Sequence, residues 1–186
     1  MMGRSKATRG FVAVLAGAAM LGVAFAGVAG AKSSRHADSL ATVEQATTKY
    51  HSLAIAKQNG YGLLKDAKGI SCIAMTGMPE MGAMGVHYAK PALVGDGKLS
   101  PTTPEALVYA PTNGKLALAA LEYVVIKSAW DAHHSSPPSL FGQKFDFTPK
   151  GNRYGLPAFY SLHAWIYEHN PSGTYSMWNP QVHCPA

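Results

Sequence analysis

The stretch Ala106-Leu107-Val108-Tyr109-Ala110-Pro111-Thr112-Asn113-Gly114-Lys115-Leu116-Ala117-Leu118-Ala119-Ala120-Leu121-Glu122-Tyr123-Val124-Val125-Ile126 decides how this chain folds. Asn-Gly is the dipeptide that accepts positive φ at both central positions of a tight hairpin turn. Apolar, β-prone runs flank it, so the spacing predicts an antiparallel hairpin joining Leu107–Tyr109 to Leu116–Ile126.

Working outward, the same short-strand grammar continues in both directions. Upstream, Ile70–Met75 and Val86–Tyr88 read as strands separated by a glycine-rich loop. Downstream, Trp130 sits on a short helical turn before the Pro137-Pro138 break, and Ser139–Leu156 reads as a long ordered loop over one face of the sheet. Phe159–Tyr167 is the last strand, followed by Asn170-Pro171 and Asn179-Pro180 turns. Before all of these, Asp38 or Ser39 can cap a helix. Leu40, Val43, Thr47, Tyr50 and Ala54 then recur at three- and four-residue steps, with His51 beside the stripe and Gly60 as the stop. The expected class is α+β: one N-terminal helix packed on a mainly antiparallel sheet that curls towards a barrel.

The chain has 186 residues, of which 47% are hydrophobic and 14% charged, enough for one domain with a buried core. Its net charge of +6 comes from 16 Lys and Arg against 10 Asp and Glu. Arg4, Lys6 and Arg9 supply three of the cations and the rest are scattered, so no basic run or motif points to nucleic acid. Met1–Arg9 is basic, Phe11–Val28 is apolar, and Ala29-Gly30-Ala31 has a small-x-small form. Residues 1–31 therefore read as a secretory signal peptide and 32–186 as the mature single domain. The alternative for the uncharged run is an uncleaved anchor, since about 20 apolar residues span a bilayer. In an oxidising, secreted or periplasmic location Cys72 and Cys184 are expected to form a disulfide closing a loop of 112 positions (184 minus 72). Two inert thiols or metal ligands are the alternatives.

Three polar residues interrupt apolar strands: His87 in Val86-His87-Tyr88, Glu122 in Leu121-Glu122-Tyr123, and His163 in Leu162-His163-Ala164. A carboxylate among apolar residues either faces solvent or needs a partner, because an unpaired buried charge costs several kcal/mol. Alternation places His163 with Ser161, Trp165 and Tyr167 on one face of its strand. If the three strands are neighbours, two imidazoles and a carboxylate converge as metal ligands for Zn, Fe or Cu, with Tyr88, Tyr123 and His169 as supporting groups. Structural histidines, a metal-free acid-base site and an exposed Glu122 remain open as alternatives.

Other candidates carry less. His169 lies six residues beyond His163, roughly 20 Å along an extended strand. His183 reaches the site only if the tail folds back; His133 and His134 read as solvated, and His36 as part of a disordered start. In Thr76–Gly85 the glycines lack the Lys-Ser or Lys-Thr ending of a phosphate loop. Met75, Met78, Met81 and Met84 recur there at three-residue steps, as a flexible pocket wall or as soft copper ligands.

Met84-Gly85-Val86-His87-Tyr88, Pro91-Ala92-Leu93-Val94, Pro104-Glu105-Ala106-Leu107-Val108-Tyr109, Glu122-Tyr123 and the closing run from His163-Ala164-Trp165 through His169-Asn170-Pro171 and Trp178-Asn179-Pro180 to Cys184 form a further pattern. With it the chain resembles a family of exported bacterial proteins of unknown function. The resemblance implies export and a single domain and brings no reaction.

Two functions follow as expectations. One is a secreted or periplasmic protein with a mononuclear metal site at His87, Glu122 and His163, whether or not it is an enzyme. The other is a binding module for an extracellular glycan or small apolar ligand that uses Trp130, Trp165, Tyr167 and Trp178 as stacking surfaces. Three of those rings in one groove would favour the binder.

Overall fold

The structure is a computed structural model and describes residues 40–185. The expected signal peptide, His36 and the caps Asp38 and Ser39 lie outside the described residues. Among the described residues no helix is long and apolar enough to cross a membrane.

The expected hairpin is the centre of the sheet. Strands β4 (Ala106–Thr112) and β5 (Lys115–Ile126) pair from Ala106↔Glu122 to Thr112↔Lys115. Asn113 (φ 50°) and Gly114 (φ 73°) make the two-residue turn. β4 runs past the expected end at Tyr109, because Pro111 is tolerated where it stands. Its partner Leu116 lies next to the Thr112↔Lys115 pair that closes the turn, so the missing N–H points away from β5. On that other side the pairing with the neighbouring strand has ended at the Val86↔Tyr109 pair.

Around this hairpin lie β1 (Gly62–Leu63), β2 (Cys72–Ala74), β3 (Ala83–Ala89), β8 (Asp146–Thr148) and β9 (Phe159–Ala164). The order is β1-β3-β4-β5-β9-β8, with β2 also paired to β3, giving seven antiparallel strands. A separate small hairpin joins β6 (Ser139–Leu140) to β7 (Gln143–Lys144). The sheet is open, not curled into a barrel: β8 forms one edge, while β1 and β2 share the other. Ser139–Leu156 is not one loop, because its middle supplies the edge strand β8, anchored by the buried Phe145.

The single long helix is broken. Residues 40–47 are helical (α1), Thr48–His51 is a 3₁₀ turn, and α2 spans Leu53–Gln58. Thr47 Oγ1 donates back to Val43 O at 2.7 Å, a bond that competes with the helix ladder. Ser52 adopts an extended conformation and its side chain accepts from Ile55 N, so it starts a new helix. The break shifts the stripe: Val43, Thr47 and Tyr50 are buried as expected, but Ala56 is buried in place of Ala54. Gly60 (φ 87°) ends the helix as expected, with Tyr61 N bonded to Ala56 O and Gly60 N to Lys57 O.

α1 and α2 cover one face of the sheet. There Tyr109, Tyr123, Leu107 and Leu121 are fully buried, each contributing roughly 1.5–3 kcal/mol by burial. The opposite face carries a smaller cluster of Ala83, Val108, Ala110, Ala120, Trp165 and Val182. Between Val108 and Tyr109 the register shifts: Val108 pairs with Ala120 and Tyr109 with Leu118, leaving Ala119 as an extra residue in β5. This bulge lets one strand bury Leu116 and Leu118 with the helices and still turn Glu122 to the other side. Without it, Leu118 and Glu122 would share a face.

The tail returns across that second face. Asn179 exchanges backbone hydrogen bonds with Ala83, and Cys184 is bonded to Cys72 with Cα atoms 5.6 Å apart, so the expected disulfide is present. Gly82 is required at this crossing: a Cβ there would lie 2.0 Å from Asn179 O.

Candidate metal centre

His87, Glu122 and His163 come from β3, β5 and β9, and all three project from the face opposite the helices. Glu122 and His163 are direct cross-strand partners. His87 is one strand further away, because β4 lies between β3 and β5. The side chains meet over β4, where Ala106 and Val108 stand in the registers of Glu122 and His87. A larger residue than Ala106 would fill the space through which they approach.

The three side chains converge, with His163 turning a different ring nitrogen to each neighbour. His87 Nε2 lies 3.4 Å from His163 Nε2 and 3.4 Å from Glu122 Oε2, while His163 Nδ1 is 3.8 Å from Glu122 Oε1. Each residue offers a ligand atom within 4.8 Å of the others. These separations are long for hydrogen bonds. Ligands bound tetrahedrally at about 2.05 Å stand about 3.3–3.4 Å apart, whereas an octahedral edge would be about 2.9 Å. His87 Nε2 thus stands at ligand spacing from both neighbours, while the His163–Glu122 contact is wider and runs through the other ring nitrogen, so the group could hold an ion without selecting which one.

Burial sets the protonation of the group. The two histidines are each 2% exposed and Glu122 is 9% exposed. Loss of water pushes the Glu122 carboxyl up to about 8 and the His87 imidazole down to about 4, and holds His163 well below its ordinary value. Two neutral imidazoles are the form that binds a metal. His87 Nδ1 is buried without a well-formed hydrogen bond, and the nearby Gly85 backbone favours the charged ring against the effect of burial. Trp165 lies nearly parallel to His163, with ring centres 6.2 Å apart and 17° between planes, and its indole N–H donates to Ser176 O.

The expected supporting groups are elsewhere. Tyr88 and Tyr123 adjoin His87 and Glu122 in sequence, and strand alternation sends both to the helix face. There Tyr88 packs against Tyr109, and the Tyr123 hydroxyl donates to Pro101 O. His169 is exposed, because β9 stops at Ala164. The chain turns away there, with Tyr167 N and Glu168 N both bonded to the bulged Ala119 O. Tyr167 accordingly packs on α1, not beside His163. His183 is exposed beside a large groove along the disulfide that does not reach the triad.

The four rings of the stacking hypothesis do not share a groove. Trp165 is buried in the small cluster, Tyr167 is on the helix face, and Trp130 stacks on His134. Trp178 lines a cavity with Met75, Met84 and Met177. That cavity fits the expected methionine wall, but Met78 and Met81 are exposed and the four regularly spaced sulfurs do not converge there.

Two features escaped sequence reasoning. Arg153, in Gly151–Gly155, adds a positive charge that disfavours the protonated His87 ring. It is held by Asp66, whose Oδ2 accepts from Arg153 Nη2 at 2.8 Å and Nε at 3.2 Å. The second is an apolar cavity of about 350 Å³ that has Glu122 in its wall. Its other lining residues come from β4, β5, the end of β3, Leu64 after β1, the short helix α3 (Pro91–Val94) with Gly95, and the Leu156-Pro157 loop, and no local motif announces such a cavity.

Comparison with protein-family models, with curated proteins and with solved structures finds no match to this chain. The site is therefore interpreted from its own geometry.

Proposed function

We propose that this protein is an exported metalloprotein whose mononuclear divalent ion is held by His87, Glu122 and His163. The buried convergence of the three side chains, with His87 Nε2 3.4 Å from both His163 Nε2 and Glu122 Oε2 and one ligand atom of each residue within 4.8 Å of the others, carries the reading. Zinc, iron and copper are the candidates, because two imidazoles and a carboxylate suit each of them. Two imidazoles and one carboxylate leave a fourth position for water or a ligand, the arrangement of a Lewis-acid site. Export is supported by the basic-apolar start of the sequence and by the Cys72–Cys184 disulfide.

Elemental analysis of the purified protein, alone and after reconstitution with zinc, ferrous or cupric ions, tests the proposal. About one ion per chain is expected, with stoichiometry lost in His87→Ala and His163→Ala and weakened at least tenfold in Glu122→Gln. Absence of stoichiometric metal under all conditions would overturn it.

A further inference from the structure

The cavity at Glu122 defines what reaches the triad. Both histidines are almost completely covered, so Glu122 is the one member with surface on a cavity. The walls are Leu64, Val94, Ala106, Val124, Ile126 and Leu156, and among all the lining residues Glu122 is the only titratable side chain. A ligand carrying charge along its body would find no countercharge in the walls, and a sugar would leave most of its hydroxyls unpaired against hydrocarbon. At about 350 Å³ the space lies near the lower end of small-molecule sites, which run from about 300 to 1,000 Å³.

We infer that this cavity is the ligand site of the triad, and that its ligand is a small molecule with an uncharged, mainly hydrocarbon body, presenting one polar head group to Glu122. This deepens the metalloprotein reading, which supplies the ion that the head group would meet. The apolar cavity itself exists independently of any ion.

The position of the walls supports the assignment. Ala106 and Val124 flank Glu122 on the same sheet face, Ala106 as its β4 register partner and Val124 two residues along β5. A chain lying on them would therefore have its end at the carboxyl group. α3 and the Leu156-Pro157 loop form the opposite wall, and Pro91 and Pro157 limit backbone freedom on both sides. The site is thus framed before a ligand arrives.

The test is calorimetric titration of the full protein with straight-chain alcohols from n-butanol to n-decanol, and with glucose, in metal-free and zinc-loaded samples. Val94→Trp and Leu156→Trp fill the cavity from its non-sheet wall, so neither disturbs the strands carrying the triad. Saturable binding of a mid-length alcohol is expected, with affinity reduced about tenfold or more in both variants and glucose inert. Zinc content by elemental analysis should be unchanged in both. No alcohol binding in either form, equal affinity in the cavity-filling variants, or glucose binding at the same place would each overturn the inference. Alcohol binding that is lost in the variants of a protein holding no metal would retain it and sink the metal reading alone. Melting temperatures within a few degrees of the parent establish that the variants are folded.

Discussion

Glu122 and His163 face each other across the β5–β9 pair, Cα opposite Cα, with Oε1 3.8 Å from Nδ1. Their meeting is a property of strand register and not of loop placement. Any change that preserves the register preserves the pair. His87 is different, since it joins them over an intervening strand and depends on small residues beneath it.

Register therefore makes Gly85 critical. It lies next to the β3 irregularity at which Ile73 pairs with Gly85 and Ala74 with Ala83, its φ is 100°, and a Cβ would stand 2.7 Å from Tyr109 O. Gly85→Ala is expected to cost about 1–3 kcal/mol in urea unfolding and to displace His87. Zinc affinity should fall with it, whereas Gly69→Ala, also at positive φ but with nothing within 4 Å, should leave zinc affinity unchanged.

The pH dependence of metal-free stability follows from four buried groups. Glu122 and Glu105 are both pushed up by burial from 4.5 to about 8, so the folded state keeps protons that the unfolded chain releases. Their contribution is full below 4.5 and is lost as pH rises towards 8. His87 and His163 are depressed below 6.5 by burial, so their contribution is full above 6.5 and is lost as pH falls. Between 4.5 and 6.5 the two effects oppose each other, and a plateau is expected there with a decline on either side. Each carboxyl adds a slope of at most about 1.4 kcal/mol per pH unit on the alkaline side. Glu122→Gln and Glu105→Gln should each flatten that limb in thermal melts of the apo protein.

Zinc should reverse this alkaline decline. An ion bound at a hundredfold excess over its dissociation constant stabilises the fold by about 2.7 kcal/mol. Because binding requires the Glu122 carboxylate, the melting temperature with zinc should exceed that of the apo protein by a growing margin as pH rises from 6 towards about 8. A margin independent of pH would contradict Glu122 as a ligand.

The Cys72–Cys184 bond closes a loop of 112 positions. The chain-entropy model assigns about 4–5 kcal/mol to a loop near that length. The double variant Cys72→Ser/Cys184→Ser should lower the urea midpoint accordingly, and the unreduced protein should titrate no free thiols. The bonds of Asn179 to Ala83 should keep the tail docked in the variant at low temperature.

Asp66→Asn should lower the melting temperature by a few degrees and blunt the acid limb. Arg153 and the Ile70 and Lys68 amides hold the Asp66 carboxyl below its usual range, so its contribution is present at neutral pH and lost in acid. The parent and variant curves should converge at low pH.

Local chemistry determined a large part of this protein. Asn113-Gly114 set the central hairpin, Gly60 set the helix end, and a carboxylate and two imidazoles inside apolar strands marked the three residues that converge. Each is a nearest-neighbour signal: a turn that needs positive φ, or a polar group where burial penalises it. What tertiary structure alone decided depends on partners distant in sequence. The bulge at Ala119 changes which face β5 presents and is defined only by the register with β4. The sharp exit after Ala164, fixed by Ala119 O, removed His169 and Tyr167 from the site and ended the alternation that had grouped them with His163. Ser52 broke the helix because a capped restart competed successfully with a continuous ladder, a balance of small terms that periodicity does not contain. The open sheet and the apolar cavity at Glu122 arise the same way, from strands, a short helix and a loop meeting in space, where packing and not spacing determines what is left uncovered.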